Sequence, residues 1–521
     1  MSKKRLKDYL EVKQEKFQYE KDKLEKPFSE IKYKNKDPLV FVRKFIMDKG
    51  LKLYGGLALH EHLKKHGLPI YKKSEFPDYD VYSPDAWNHA KELCDILYKN
   101  GFEFIEARSS ILNDEHHQTF KVAVDTVFIL DLTQIGCSRK KILNNDCGGC
   151  GTSYNQTQCV SIFNNMPCVD LLKYSKQKKN KVYTETYNYK NNKSLHPKKL
   201  FLLNDDWLKI SMYRELTEPL SNPQRLLKVA TRLEDFEEKF KYNHSKCKSL
   251  SNTNSNNNKN YNLYTDILNY IYGFIVDNKL INFGSLAHNF FIKNTSLKKL
   301  NINKYEVYTD NLDIAQNLID LLKSEFKNYN FKIEEIYNYW KEIDVQSFNI
   351  YVSKKGSKSN SLIFTAIHNT ECMPYVQYNH IRYVTIDRMK YIYYRAIALD
   401  SVINKLEKNP PNYKCLLSDL IKIENKYKKK NKLSKTGKYR RYVGKCVGHT
   451  EPKIKKNLKT RYLDKLDLTT KTKIDIDYPK EGYITKSYPM SLETLHMPYK
   501  PEEEKLKKRT FHRSKKSRKI T

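Results

Sequence analysis

The sequence predicts a mixed α/β chain in which one strand, glycine turn, helix, strand, helix unit is used twice. Three observations predict it. LYGGLALHEHL (53–63) is followed by FPDYDVYSP (76–84) and then HAKELCDILYKNGFEF (89–104). The same order returns in IVDNKLINFGSLAHN (275–289), KYEVYTDN (304–311) and IAQNLIDLLKSEF (314–326), so the unit is duplicated rather than arrayed. Between the copies lies SLSNTNSNNNKN (249–260), a polar low-complexity run that cannot bury a core and reads as a solvated linker.

Residues 1–37 are dense in charge, with Leu, Tyr and Phe at helical spacing. They read as an exposed or partner-packed helical segment. Residues 38–198 form the first α/β domain. Within it 51–54 is a strand signal, Gly55-Gly56 a turn and 57–65 a helix. A glycine pair there lets backbone N–H groups approach a ligand, and the helix N-terminus favours an anion. Taken alone, such a pair is usually only a turn.

Residues 78–82 read as a strand, which puts Asp78 and Asp80 on one face. Two carboxylates on one face repel each other. They are comfortable in open solvent or around a hard divalent cation, and an isolated pair is usually a polar strand end. The run KVAVDTVFILDL (121–132) reads as a hairpin turning at Asp125-Thr126. Asp125 is thus explained as a turn residue. Asp131 is not, because it interrupts an apolar strand where an unpaired charge is costly. It needs a cation, either a metal or a Lys or Arg partner.

Residues 136–196 are irregular. Residues 199–248 read as a helical segment. One helix starts at Asp205 with apolar spacing (Trp207, Leu208, Ile210, Met212, Leu216), and another opens at Asn222-Pro223, an N-cap followed by Pro at the first helical position. Residues 249–262 are the linker and 263–408 the second α/β domain. Residues 409–521 are a basic region, disordered in part.

The second copy keeps Gly284-Ser285 at the turn and Glu306 at the second acid. Lys304 replaces the first acid, and the best register sets Ala366 against Asp131. An ammonium at a ligand position repels a metal, so the second copy is expected not to catalyse. It is expected to complete a core or offer an RNA groove.

Charge narrows the partners. Lys+Arg is 96 against 60 Asp+Glu, a formal net charge of +36. That disfavours an ordinary neutral metabolic enzyme and favours a polyanion, nucleic acid or acidic membrane. Wealth in Asn, Tyr and Ile discounts this, since AT-rich coding inflates Lys. No apolar run nears the ~20 residues of a membrane span, and MSKKRLKDYLEVKQEK has no signal-peptide core. The expectation is a soluble intracellular protein, not secreted and without a membrane partner, whose ten Cys are reduced thiols. Cys147 and Cys150, with Cys137, Cys159 and Cys168 nearby, have a zinc-knuckle look without a standard zinc spacing. Zinc is the less favoured reading. His116-His117 reads as a polar loop. Arg225, Lys228 and Arg232 share a helix face and are candidate RNA or nucleotide contacts, with a solvated basic face as the plain alternative. Residues 421–460 hold 15 Lys/Arg and two Glu, with Tyr439, Tyr442 and Tyr462 within or beside them. That suits phosphate tracking and base stacking.

Together, the Gly-Gly turn, the Asp-x-Asp strand and the later strand Asp resemble the nucleotidyltransferase superfamily of DNA polymerase β and the poly(A) polymerases. LYGGLALHEHL, FPDYDVYSP, VFILDLTQI (127–135) and DWLKISMYRELTEPLSNPQRLLKVATRLEDF (206–236) most resemble the catalytic poly(A) polymerase of large cytoplasmic DNA viruses, of poxvirus and giant-virus kind. The resemblance implies a polymerase-β-like domain with a mixed sheet, a helical segment and a second, degenerate copy. It puts Gly55 and Gly56 at the triphosphate turn. It puts two Mg²⁺ (or Mn²⁺) ions on Asp78, Asp80 and Asp131, which are then the catalytic and metal residues. It implies ATP as substrate, an RNA 3′ end as acceptor, and either a homodimer or a separate processivity subunit. The setting would be the host cytoplasm (the viral factory) or the virion. Alternatives are another terminal RNA nucleotidyltransferase, of uridylyl or CCA type, and a non-catalytic RNA-binding processivity protein.

Overall fold

The computed structural model describes residues 37–71, 78–102, 105–109, 119–124, 127–135, 160, 163–173, 182–217, 223–244, 247, 264–336, 347–357, 359–369, 373–398, 411–429 and 446–447. The expectations for 1–36, for the linker, for His116-His117, for the turn at Asp125-Thr126, for Cys137 to Cys159 and for the chain beyond 447 lie outside the described residues. The chain divides into two compact units after Asn204.

The first unit opens with helix α1 (Pro38–Lys49). Asp37 caps it by accepting the Leu39 N–H at 2.9 Å, and Gly50 ends it in the left-handed region, where a side chain is strained. Strand β1 (Lys52–Tyr54) and helix α2 (Gly55–Lys64) follow, then β2 (Tyr79–Ser83) and α3 (Ala86–Lys99). Next come β3 (Ile105–Ser109), β4 (Thr119–Val124), β5 (Val127–Gln134), β6 (Cys168–Asp170) and β7 (Val182–Tyr183). A small ribbon of β8 (Tyr187–Asn188) and β9 (Lys193–Ser194) precedes β10 (Phe201–Leu203). The main sheet runs β3-β4-β5-β2-β1-β10-β6-β7. It is mixed, with β2 parallel to β5 and β1 parallel to β10. Strand β10 corrects the reading of 199 onward as helical. Its three residues are all buried, and so short an apolar run carries no period by which to tell strand from helix.

The second unit holds α4 (Asp205–Thr217), α5 (Pro223–Lys239), α6 (Thr265–Asp277), β11 (Ile281–Phe283), α7 (Gly284–Ile292), β12 (Tyr305–Thr309) and α8 (Ile314–Glu325). It continues with β13 (Tyr329–Ile336), β14 (Ser347–Lys354), β15 (Ser361–His368), β16 (Met373–Tyr378), β17 (Ile381–Val384), α9 (Ile386–Ala398), α10 (Tyr413–Lys429) and β18 (Cys446–Val447). Its sheet runs β13-β14-β15-β12-β11-β17-β16-β18. Seven of its strands repeat the first sheet in chain order; the edge differs, since β7 precedes β10 in the chain whereas β18 follows β17.

The duplication reaches past the sheets. Asp206, Lys209, Tyr213 and Arg214 of α4 have the spacing of Asp387, Lys390, Tyr394 and Arg395 of α9. These two helices pack on each other. Tyr213 and Tyr394 stack at 5.8 Å, Lys209 lies over the Tyr394 ring at 5.4 Å and Lys390 over the Tyr213 ring at 4.6 Å. Both lysines are buried, so each ammonium needs oxygen partners. Lys209 donates to the Phe240 carbonyl at 2.6 Å, and Lys390 to Glu424 at 2.6 Å.

One expectation from composition is overturned. Cys247 is bridged to Cys415, with Cα atoms 4.7 Å apart, inside the range a disulfide spans. Around it Tyr242 donates to the Lys414 carbonyl at 2.9 Å, and His244 and Ser418 share a hydrogen bond of 2.8 Å. Folding thus joins two thiols 168 residues apart in sequence, which the count of Cys could not show. Cys168 is buried on β6 as a free thiol and donates to the Tyr183 carbonyl. Among the described residues no helix is long and apolar enough to cross a membrane.

Candidate active site

Four strands of the first sheet align their residues in one straight row. Tyr54 on β1 lies opposite Asp80 on β2, Asp80 opposite Asp131 on β5, and Asp131 opposite Lys121 on β4. Residues directly opposite across paired strands share a face, so the row places two acids side by side. Asp78, two residues before Asp80, joins the same face. Ligand oxygens of Asp78, Asp80 and Asp131 lie within 4.8 Å of one another. The structure therefore brings together the three acids singled out in the sequence.

The turn explains its glycines differently. Gly55 has φ 67°, and a Cβ there would run into the Asp80 carboxylate. The Gly56 N–H donates to Asp80 Oδ2 at 3.3 Å. The first glycine thus makes room for the central acid, and the second binds it at the N-terminus of α2, where the helix dipole favours negative charge.

The electrostatics are those of a site built for a cation. At such separations each pair of carboxylates costs about 3–4 kcal/mol at an effective dielectric constant near 20. Burial, then the charges of Asp78 and Asp131, hold the Asp80 carboxyl well above its ordinary range. Lys121 forms a salt bridge with Asp131 Oδ2, and among the described residues that one ammonium does not balance three acids. Three hard oxygen donors converging on one point fit Mg²⁺ or a similar divalent ion.

Beside the acids, Tyr54 stacks on Tyr82 at 4.1 Å and shares a 2.6 Å hydrogen bond with Thr133. Thr133 is bonded in turn to Thr119 at 2.7 Å. Burial first, then the charge of Asp80, pushes the Tyr54 hydroxyl well above its usual range, so it is a neutral donor or acceptor. Lys121, Tyr54, Thr133 and Thr119 were not visible as site residues in the sequence. Lys121 faces Asp131 only because the β4–β5 register shifts by one between Val122 and Ala123, the signature of a β-bulge. Counted back from the turn without that shift, Lys121 would face Leu130.

In the second sheet the matching row is Phe283, Glu306, Thr365 and Asn349. The position matching Asp131 is therefore Thr365, which corrects the register that placed Ala366 there. The same one-residue shift recurs, between Ile350 and Tyr351. Thr365 donates to Asn349 at 2.7 Å, and Lys304 pairs with Glu306 at 3.4 Å. Gly284 keeps φ 65°, and a Cβ there would meet Glu306. Among the described residues this row gathers no group of three possible metal ligands. Arg225, Lys228 and Arg232 lie on α5 of the second unit. Lys228 is exposed and Arg232 half-buried, while the Arg225 side chain lies outside the described residues.

A mixed sheet with a glycine turn opening a helix against a three-acid row is the architecture of a nucleotidyltransferase domain. The fold has a solved counterpart. Over 90% of this chain and 89% of the other, at 18% identity and a TM-score of 0.59, it is similar to the Megavirus polyadenylate synthase. Residues 40–145, which include Gly55, Gly56, Asp78, Asp80, Lys121 and Asp131, match the family described as Poly(A) polymerase catalytic subunit. An inferred poly(A) polymerase catalytic subunit of African swine fever virus is 42% identical over 95 residues, 18% of this chain and 19% of that protein. One from Acanthamoeba polyphaga mimivirus is 31% identical over 103 residues, 19% of this chain and 17% of that protein. The matched stretch thus spans about a fifth of the length of these relatives. The family resemblance read from the sequence stands, and it centres on the segment that carries the acids.

Proposed function

We propose that the chain is a template-independent poly(A) polymerase that extends an RNA 3′ end with AMP from ATP and releases pyrophosphate. The observation that carries the reading is the convergence of Asp78, Asp80 and Asp131 at the glycine turn, set against the second copy, where the same scaffold lacks two of the three acids. The acids are therefore dispensable for the fold and are retained for chemistry. Asp78, Asp80 and Asp131 would hold two divalent ions, Mg²⁺ or Mn²⁺. What such ions supply when bound is a more acidic attacking hydroxyl and neutralised triphosphate charge. Asp80 is oriented by the Gly56 N–H, and Asp131 is held by Lys121. Tyr54, neutral and fixed by Thr133, walls the row on the β1 side.

The catalytic-subunit name of the similar viral proteins supports a separate partner subunit; self-association is the alternative. The host cytoplasm is the proposed setting. The test incubates purified protein with a labelled oligoribonucleotide, Mg²⁺ and each nucleoside triphosphate separately. Extension with ATP is expected. Extension with UTP or CTP instead would move the assignment to another terminal nucleotidyltransferase, and no extension would favour an RNA-binding role.

A further inference from the structure

We propose that Lys121 is a built-in counter-cation of the acid row, one that must release Asp131 before a divalent ion can load. The inference rests on the metal-binding reading of the three acids. It goes beyond that reading by making metal binding and polyphosphate binding mutually dependent.

Three observations carry it. The Lys121 ammonium is bonded to Asp131 Oδ2, an oxygen a metal would need, and a cation already on that oxygen competes with a second one. The side chain can leave. It is 27% exposed and its ammonium rests 5.0 Å from the Phe128 ring, so moving it opens no core. Finally, lysine and acid are lost together in the second copy. The row partner of Thr365 is Asn349, and the neutral pair closes its own hydrogen bond at 2.7 Å. A lysine kept only for packing its stem would have no reason to disappear with the carboxylate.

The consequence is a site that takes a divalent ion poorly when empty. A triphosphate brings negative charge that offers the released ammonium a new partner, so the substrate and the ion assist each other. Such assistance is reciprocal by linkage. Lys121 is a positioning residue in this account, since it acts through Asp131.

The test measures Mn²⁺ binding to the full chain by the loss of free-ion electron paramagnetic resonance signal, without nucleotide and then with a non-hydrolysable ATP analogue. Lys121→Met keeps the stem and removes the charge; Lys121→Arg keeps the charge. Lys121→Met is expected to bind Mn²⁺ alone about twofold to fivefold more tightly than wild type, the size expected for losing one partly exposed ion pair. Lys121→Arg should behave as wild type. The analogue should tighten Mn²⁺ binding by a larger factor in wild type than in Lys121→Met. Unchanged or weaker Mn²⁺ binding by Lys121→Met, with binding still weakened by Asp80→Asn, would overturn the role of the lysine and leave the metal site standing. Wild-type Mn²⁺ binding indifferent to Asp80→Asn would overturn the metal reading and this inference with it. The wild-type arm needs no variant to fold: no gain from the analogue there also overturns the proposal.

Discussion

On one row of the first sheet stand Tyr54, Asp80, Asp131 and Lys121; on the matching row of the second stand Phe283, Glu306, Thr365 and Asn349. The order of the seven shared strands, the turn glycine and the register shift are the same in both. The charges differ. The first face sets three carboxylates against one ammonium, while the second sets Glu306 against Lys304 at 3.4 Å. The second row also loses the hydroxyl pair, since Phe283 and Ile367 stand where Tyr54 and Thr133 stand in the first. What the scaffold needs is what both copies keep. What only the first copy keeps is not required by the scaffold and points to chemistry.

The comparison breaks most sharply at the acids. Asp80→Asn or Asp131→Asn should lower tailing at least about a thousandfold, since a transition-state charge interaction of about 4 kcal/mol is worth that factor. RNA binding should persist in a filter assay. Glu306→Gln should leave the single-turnover rate within about twofold, and Asp125→Asn should be nearly silent. Tailing by either acid variant at the wild-type rate would remove the site from the first row.

A smaller effect should follow from rebuilding the second row. Lys304→Asp alone leaves one acid missing and should create no metal site. Lys304→Asp combined with Thr365→Asp restores three carboxylates on this face, the buried Glu306 among them. That protein should be destabilised by about 3–5 kcal/mol in chelator and recover when Mn²⁺ is added, as read by denaturant unfolding. Recovery absent in the double variant would mean that three acids on this row are not enough to bind metal.

Gly55→Ala and Gly284→Ala sharpen the contrast further. Both introduce a Cβ at positive φ against an acid, so both should lose at least about 1–2 kcal/mol of stability. Only Gly55→Ala should also depress the rate of folded enzyme. Equal losses of rate would tie the second copy to the reaction.

The effect least tied to the acid row is acid sensitivity, to which each unit contributes a buried neutral histidine. Burial pulls His89 down to about 3 and His288 down to about 4, from an unfolded value near 6.5. Below that value the unfolded chain binds the extra proton, so stability is full above about pH 6.5. It falls with pH by about 1.4 kcal/mol per unit for each histidine, down to about 3 and 4 respectively. His288→Leu, which installs the residue found at the matching position 59, should remove about 2 kcal/mol of the difference between pH 7 and pH 5 in urea unfolding. An unchanged difference would place the acid sensitivity elsewhere.

The acids were legible in the sequence because each is a local anomaly: Asp78 and Asp80 alternate on one short strand, and Asp131 interrupts an apolar one. The glycine turn was legible by its place between strand and helix, though its closest neighbour proved to be Asp80. Lys121 was hidden, because its partner is fixed by an extra residue at Ile129 that no pattern announces. The true counterpart of Asp131 is Thr365 rather than Ala366, because the pairing of β12 with β15 sets Glu306 opposite Thr365. Strand β10 was too short to show a period. The Cys247–Cys415 bridge joins segments that only tertiary packing brings together.

The packing of α4 on α9 sets a timetable for the newborn chain. Tyr213 leaves the ribosome 181 residues before Tyr394, an interval of about 9–36 seconds at ordinary translation rates of about 5–20 residues per second. The first sheet needs nothing beyond Leu203 to complete its strand order and can close early. Helix α4 must meanwhile carry Tyr213 and Lys209 without the Tyr394 ring that later covers both. The acid row is thus assembled before the unit that receives α4, and synthesis halted between the two copies would leave a finished first sheet followed by a helix with a wet, adhesive flank.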